Sequence, residues 1–164
     1  MNVYLMGFMG CGKSAVGKIL ARALGRSFFD TDSEIEKAAG QSVAEIFARS
    51  GEKRFRLLEK RAVAQAAKLK DAVVALGGGA LLDPVNRRAV SRGMAVRLTC
   101  AEGELWRRLK GEVKKRPLIA SGRGPFRALR RRRRGAYPGA DFSVSTTAKS
   151  AARVAREVER RLSA

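Results

Sequence analysis

The chain contains no histidine, two cysteines in 164 residues, and only 15 acidic side chains against 35 basic ones. Cys11 and Cys100 stand far apart and outside any C-x-x-C pattern, which argues against both a disulfide framework and a zinc site. With soft ligands this scarce, a metal ion would have to be held by oxygen donors. Long apolar runs are also missing. The first, at 3–6, spans about four residues with no basic stretch before it, so neither a signal peptide nor a membrane span fits and a cytoplasmic protein is expected. There is no internal repeat, and no N-K-x-D segment of the kind a guanine-reading GTPase carries. The hydrophobic content of 45% suffices for a core, and the length fits one domain over 1–164.

The shortage of acids is uneven. Residues 1–82 carry 13 basic and 8 acidic groups, net +5, whereas residues 83–164 carry 22 and 7, net +15, with five consecutive arginines at 130–134. Such a surface attracts polyanions, so nucleic-acid association has to be weighed as a rival or incidental property.

What the chain does have is a phosphate-binding signature. Gly7-Phe8-Met9-Gly10-Cys11-Gly12-Lys13-Ser14 fits G-x-x-x-x-G-K-[ST] directly after the strand-like run at 3–6. Its glycines let successive backbone N–H groups turn toward an anion, and the helix that follows adds the positive end of its dipole. Lys13 is placed to reach the outer phosphates and Ser14 to offer a hydroxyl to magnesium. Cys11, beside Lys13 at a helix start, occupies surroundings that favour a thiolate, or is simply a small residue that fits.

Further strand-like runs end in chemistry. The run at 27–29 leads into Asp30-Thr31-Asp32, at the strand end where open parallel sheets bind ligands; the competing reading is that Thr31 or Asp32 merely caps a helix over 33–39. Ser42-Val43-Ala44-Glu45 is a capping box opening a helix that Gly51 closes, and a second helix over 52–68 buries Phe55, Leu58, Ala62 and Ala66. Arg56, next to Phe55, reads as either solvated or functional. The continuous apolar run 72–76 has the look of a central strand, and it ends in Gly77-Gly78-Gly79 instead of the magnesium-holding acid common at that place, leaving Asp30 and Asp32 as the suitably placed carboxylates. The glycines either expose bare backbone to a small ligand or form a hinge. Further helices are expected at 84–92, 101–110, 126–134 and 148–162, and strands at 94–98 and 142–145. The segment 111–125, basic and without apolar periodicity, reads as a mobile lid. Strands alternating with helices predict an α/β three-layer sandwich, with a parallel sheet of about five strands.

Taken together, the phosphate loop, Phe29-Asp30-Thr31-Asp32, Phe55-Arg56, Leu76-Gly77-Gly78-Gly79-Ala80 and Arg116-Pro117-Leu118 resemble the shikimate kinases in order and spacing. The resemblance covers nearly the whole chain. It implies a P-loop kinase that transfers phosphate from ATP to the 3-hydroxyl of shikimate with Mg²⁺, on the route to aromatic amino acids, as a monomer. It further implies that Gly10, Cys11, Gly12, Lys13, Ser14 and Ala15 hold the nucleotide phosphates, that Ser14 and, through water, Asp30 hold the metal, and that Asp32 takes the acceptor's proton. By the same resemblance, Arg56, Gly77, Gly78, Gly79 and Arg133 bind the acceptor. Arg116 approaches the transferring phosphate and Arg108 lies near the adenine. Arg133 is selected by alignment on Tyr137, although Pro138 stands where the family has a basic residue and the lid is short, with Gly124-Pro125 inside it. Related small-molecule kinases, such as gluconate kinases, use the same loop on other acceptors.

Overall fold

The computed structural model describes residues 1–137 and 139–164. Five strands, β1 (Val3–Met6), β2 (Ser27–Asp30), β3 (Ala72–Ala75), β4 (Met94–Thr99) and β5 (Phe142–Ser145), form an all-parallel sheet in the order β2-β3-β1-β4-β5. The strands are short and apolar because both faces of the sheet are covered. On β1 the alternation is explicit: Val3 and Leu5 join one core with Val16, Leu20, Leu105, Phe126 and Val158, while Tyr4 and Met6 join another with Val63, Ala66 and Val90. Helices α1 (Lys13–Ala23), α5 (Glu102–Leu109), α6 (Arg123–Arg132) and α7 (Ala151–Leu162) therefore lie on the first face. Helices α3 (Val43–Lys68) and α4 (Pro84–Val90) lie on the second. A satellite core of Ile35, Ile46, Phe55 and Ala62 attaches α2 (Thr31–Ala39) to α3.

This topology decides where a ligand can sit. From β1 the chain moves to β2 on one side, and from β3 it moves to β4 on the other, so the adjacent pair β1 and β3 is the point where the connections part. The phosphate loop and Gly77-Gly78-Gly79 both open onto the crevice so created.

Three expectations need correction. Helix α2 begins at Thr31 and its N-cap is Asp30, whose carboxylate accepts from the amides of Asp32 (3.1 Å) and Ser33 (3.4 Å), so neither Thr31 nor Asp32 is the cap. The segment 111–125, expected as a basic loop, contains 3₁₀ turns at Val113–Lys115 and Pro117–Ile119, and Ile119 is fully buried in the core beside Phe126. Gly124-Pro125 belongs to the first turn of α6, where proline's missing N–H costs nothing. The expected departure at Pro138 lies outside the described residues.

Thr31 links the strand ends. Its hydroxyl donates to the carbonyl of Ala75 (3.3 Å) and accepts from the amide of Gly77 (2.8 Å), tying the start of α2 to the end of β3 inside the protein. Thr31→Val keeps the shape and leaves that buried amide unpaired, so urea unfolding should show a loss of about 1–3 kcal/mol. Thr31→Ser should recover most of it, and unchanged stability in Thr31→Val would remove this link from the account.

Candidate active site

Helix α1 starts without a side-chain cap, since its N-cap is Gly12, whereas α2, α3, α4 and α7 are each capped by an Asp or Ser side chain. Its first amides are thus left for an outside acceptor, as an anion site requires. Over them opens a cleft of about 380 Å³ lined by Gly10, Gly12, Lys13, Ser14 and Ala15 together with Asp30 and Asp32. The Lys13 ammonium folds back on the loop, donating to the carbonyls of Gly7 (2.9 Å) and Phe8 (3.0 Å). The Ser14 hydroxyl donates to the second carboxylate oxygen of Asp30. Behind the loop, Arg108 clamps the carbonyls of Gly10 (3.2 Å) and Thr146 (3.0 Å) and pairs with Glu104, so it braces the loop against the segment following β5.

A second cleft of about 250 Å³ adjoins the first and shares Asp32, Gly78 and Arg116 with it. Its floor is the backbone of Gly78 and Gly79. Close approach explains the glycines: a Cβ on Gly77 would lie 2.8 Å from a Glu59 oxygen and 2.9 Å from an Asp32 oxygen, and one on Gly79 would lie 2.8 Å from nitrogens of both Arg56 and Arg133. Two guanidinium groups and two carboxylates therefore converge on a stretch of chain that has no side chains. Val43, Phe47 and Phe55 make the apolar wall.

Arg56 and Arg133 reach this floor by different routes. Arg56 comes from α3, held by Glu59 (2.7 Å) and Glu52 (3.1 Å). Arg133 follows the last turn of α6, where the chain leaves the helix, and it is buried at 4% exposure. No carboxylate pairs with it among the described residues, its Nε has no partner, and burial lowers its pKa from the usual arginine range. Tyr137, whose hydroxyl donates to the Gly78 carbonyl (2.8 Å), is pushed up to about 12 by burial and stays a neutral donor.

Asp32 sits where the two clefts meet. Burial, then the charges of Asp30 and Glu59, raise its pKa to about 6 against the opposing pull of Lys13 and Arg116. One of its oxygens is buried without a hydrogen-bond partner. A carboxylate so placed, ionised at neutral pH but with its affinity for a proton raised, has the character of a general base. Arg116 lines both clefts, and its only ion pair among the described residues is with Glu112 (3.1 Å).

The structure thus brings together Lys13, Ser14, Asp30, Asp32, Arg56, residues 77–79, Arg116 and Arg133, while Arg108 stands behind the loop. Of the arginine run, Arg133 alone is buried. Arg130 pairs with Glu102 (2.8 Å), and Arg131, Arg132 and Arg134 are exposed. The Cys11 thiol points into the core at 1% exposure, so the accessible reactive thiol is not found and the small, well-fitting residue is. Sequence reasoning missed Glu59. A signal existed: Glu59 lies four residues after Phe55 and three before Ala62, a carboxylate on the buried stripe of α3. Burial raises its pKa and the Arg56 charge opposes the rise.

The family "Shikimate kinase" matches residues 9–163. A shikimate kinase of Moorella thermoacetica is 46% identical over 99% of this chain and 95% of its own. The structure described as shikimate kinase from Acinetobacter baumannii in complex with shikimate superposes with a TM-score of 0.91 at 34% identity, covering 98% of this chain and 92% of that one. A gluconokinase from Sinorhizobium meliloti, at 19% identity, TM-score 0.60 and coverages of 99% and 91%, shares the fold alone. Matched by that family model over residues 9–163 and by a relative 46% identical over 99% of its length, the chain belongs to the shikimate kinase family of phosphotransferases.

Proposed function

We propose that this enzyme transfers the γ-phosphate of ATP to the 3-hydroxyl of shikimate, with the acceptor's carboxylate held by Arg56 and Arg133. The observation that carries the reading is the buried Arg133: an unpaired guanidinium beside a second one, over bare backbone, is matched by a planar, negatively charged partner. Shikimate supplies a carboxylate for that floor and hydroxyls for the opposite end, where Asp32 waits at the border of the phosphate cleft. A gluconate-type acceptor also has a carboxylate and hydroxyls, so assaying ADP release with each acid tests the choice. The oligomeric state we favour is a monomer, and the cytoplasmic placement rests on the two free cysteines and on the absence, among the described residues, of a helix long and apolar enough to span a membrane.

In this reading, Asp32 accepts the proton of the attacking hydroxyl as the bond to phosphorus forms. Lys13 leaves the loop carbonyls for the β- and γ-phosphates, and Arg116 exchanges Glu112 for the transferring group, so positive charge meets the oxygens on which negative charge develops. The amides at the start of α1 hold the phosphates from below. For Mg²⁺ the donors fit: a hydroxyl and a carboxylate within hydrogen-bonding reach of one another are hard oxygens, too few to cage an ion and suited to one that keeps its waters and binds phosphate. Ser14 would hold it directly and Asp30 through water. When bound, the ion supplies charge neutralisation on the phosphate oxygens.

Lys13→Met should retain the fold by circular dichroism and lose more than about nine-tenths of kcat, since the ammonium contributes charge and not packing. A variant with near-normal turnover would overturn the role given to the loop.

For Asp32, two effects of opposite sign should appear in one variant. Asp32→Asn should lower kcat roughly 10²-fold or more through loss of the base. Because the folded pKa lies above the ordinary 3.8, the carboxyl favours folding only while protonated, and this contribution is lost as pH rises through about 6. At pH 7 the ionised side chain therefore costs up to about 3 kcal/mol, and the Asn variant should melt higher than the wild type. In the wild type, kcat/KM should rise with pH through about 6 and then level. A lower melting temperature in the variant, together with a flat pH profile, would refute the assignment.

Arg133→Ala should raise the KM for shikimate at least about tenfold, the loss of a charge-assisted contact, with kcat for saturated enzyme less affected. Arg131→Ala and Arg132→Ala, on the exposed side of α6, serve as controls with normal kinetics. Equal behaviour of all three variants would show that the acceptor is held elsewhere.

A further inference from the structure

Arg133 also lines a third cavity, of about 210 Å³, whose lining shares no other residue with that of the acceptor cleft. Its lining includes Arg97, Arg130, Arg133 and Arg134, with Phe8 and Leu105 on its apolar side and no carboxylate anywhere in it. Arg97 is the unexpected member. It sits inside β4, between β1 and β5, in a sheet whose strands are otherwise apolar at such central positions. Half-buried, it stacks over the ring of Tyr137 with its guanidinium carbon 5.4 Å from the centroid. Of the four arginines, Arg130 alone has a carboxylate partner among the described residues, Glu102. Arg133 is buried and Arg97 half-buried, both without a carboxylate partner among the described residues, and the exposed Arg134 adds a third positive charge to the lining; a bound anion would offset their mutual repulsion and the burial cost of Arg133. None of the chemistry assigned to the acceptor or nucleotide clefts uses Arg97 or Arg134.

We propose that this cavity binds a small oxyanion, of the size and charge of inorganic phosphate, and that its occupation weakens acceptor binding. The coupling passes through Arg133, and this part rests on the reading of that residue as an acceptor ligand. Arg133 is shared by the two spaces: its terminal nitrogens lie against Gly78 and Gly79, and the same side chain lines the third cavity. An anion in that cavity and a carboxylate in the acceptor cleft draw on one positive charge, so each lowers the affinity for the other by the same factor. Tyr137 joins the two as well, with its hydroxyl on Gly78 and its ring under Arg97.

The test uses full-length enzyme, inorganic phosphate, and the variant Arg97→Gln/Arg134→Gln. Titration of phosphate at constant ionic strength, followed by the ¹⁵Nε NMR signals of the arginines, should shift Arg97 and Arg133 along one saturable curve. The KM for shikimate should rise about fivefold between absent and saturating phosphate, within the usual range of such couplings. Phosphate will also compete with ATP at the phosphate loop, which appears separately as a rise in the KM for MgATP. In the double variant the shikimate effect should vanish while the MgATP effect persists. If Arg97 does not respond to phosphate, or if the double variant retains the full shikimate effect, the anion site is refuted. A saturable shift of Arg97 with constant shikimate KM refutes the coupling; a parallel assay of Arg133→Ala then shows whether the acceptor reading of Arg133 has failed with it. Should the double variant not fold, the wild-type NMR titration alone decides whether the site exists.

Discussion

Everything at the carboxyl edge of the sheet depends on the bare backbone at residues 77–79. Side chains of ordinary size there would displace the carboxylates of Asp32 and Glu59 and the guanidiniums of Arg56 and Arg133, since even a methyl group comes within 2.9 Å of each. Their mutual arrangement is therefore set by a piece of chain that contributes only amides and carbonyls, itself pinned by Thr31 below and Tyr137 above. The fold supplies this piece at the place where the connections from β1 and β3 part, so the phosphate loop and the charged floor face one crevice as a result of strand order alone.

The charges at this edge are not there for stability. A buried pair such as Arg56 and Glu59 loses hydration that its mutual attraction at best offsets, and Arg133, without a carboxylate partner among the described residues, has less to offset that loss. The surface pairs, among them Lys37 with Glu34 and Arg161 with Glu157, are solvent-screened contacts worth about 0–1 kcal/mol each. Stability must come from the two apolar layers on either side of the sheet, where Leu5, Leu20 and Val158 on one side and Val63, Ala66 and Val74 on the other are almost wholly buried. That division lets the active edge carry strained electrostatics while the sheet beneath it remains ordinary.

How much of this could be read from residue order differs by element, for physical reasons. The phosphate loop and the alternation of strands and helices were legible because they are local: glycine spacing and short apolar runs announce themselves within a dozen residues. Gly77-Gly78-Gly79 was legible as a ligand floor but not as a steric necessity, because the atoms that forbid a side chain come from α2, α3 and the end of α6. Arg133 could be chosen from five consecutive arginines only by alignment on Tyr137; what distinguishes it physically is that the helix ends at Arg132 and turns the next side chain inward. Asp30 caps α2 while lining the phosphate cleft, and Asp32, two positions further in helix register, stands where the two clefts meet. Glu59 went unread because a lone acid in a long helix is ordinarily solvated. The turns and the buried anchor within 111–125 were not legible because a single buried residue, Ile119, produces no periodicity.

One residue in α3 sets the mechanical character of the acceptor cleft. Gly51, at φ 75° and ψ 173°, interrupts the helix with a backbone conformation that favours glycine, and the piece before it has its own capping box at Ser42 and Glu45. Val43 and Phe47, on that first piece, form the outer wall of the cleft, while Arg56 and Glu59, on the second, form its charged floor. The ring contact between Phe47 and Phe55, 4.9 Å between centroids, bridges the break. The outer wall and the charged residues at the base thus lie on different segments of one helix, on either side of Gly51. Amides before Gly51, packed on the satellite core alone, are therefore expected to exchange with solvent sooner than those near Val63 and Ala66, which pack on the main sheet.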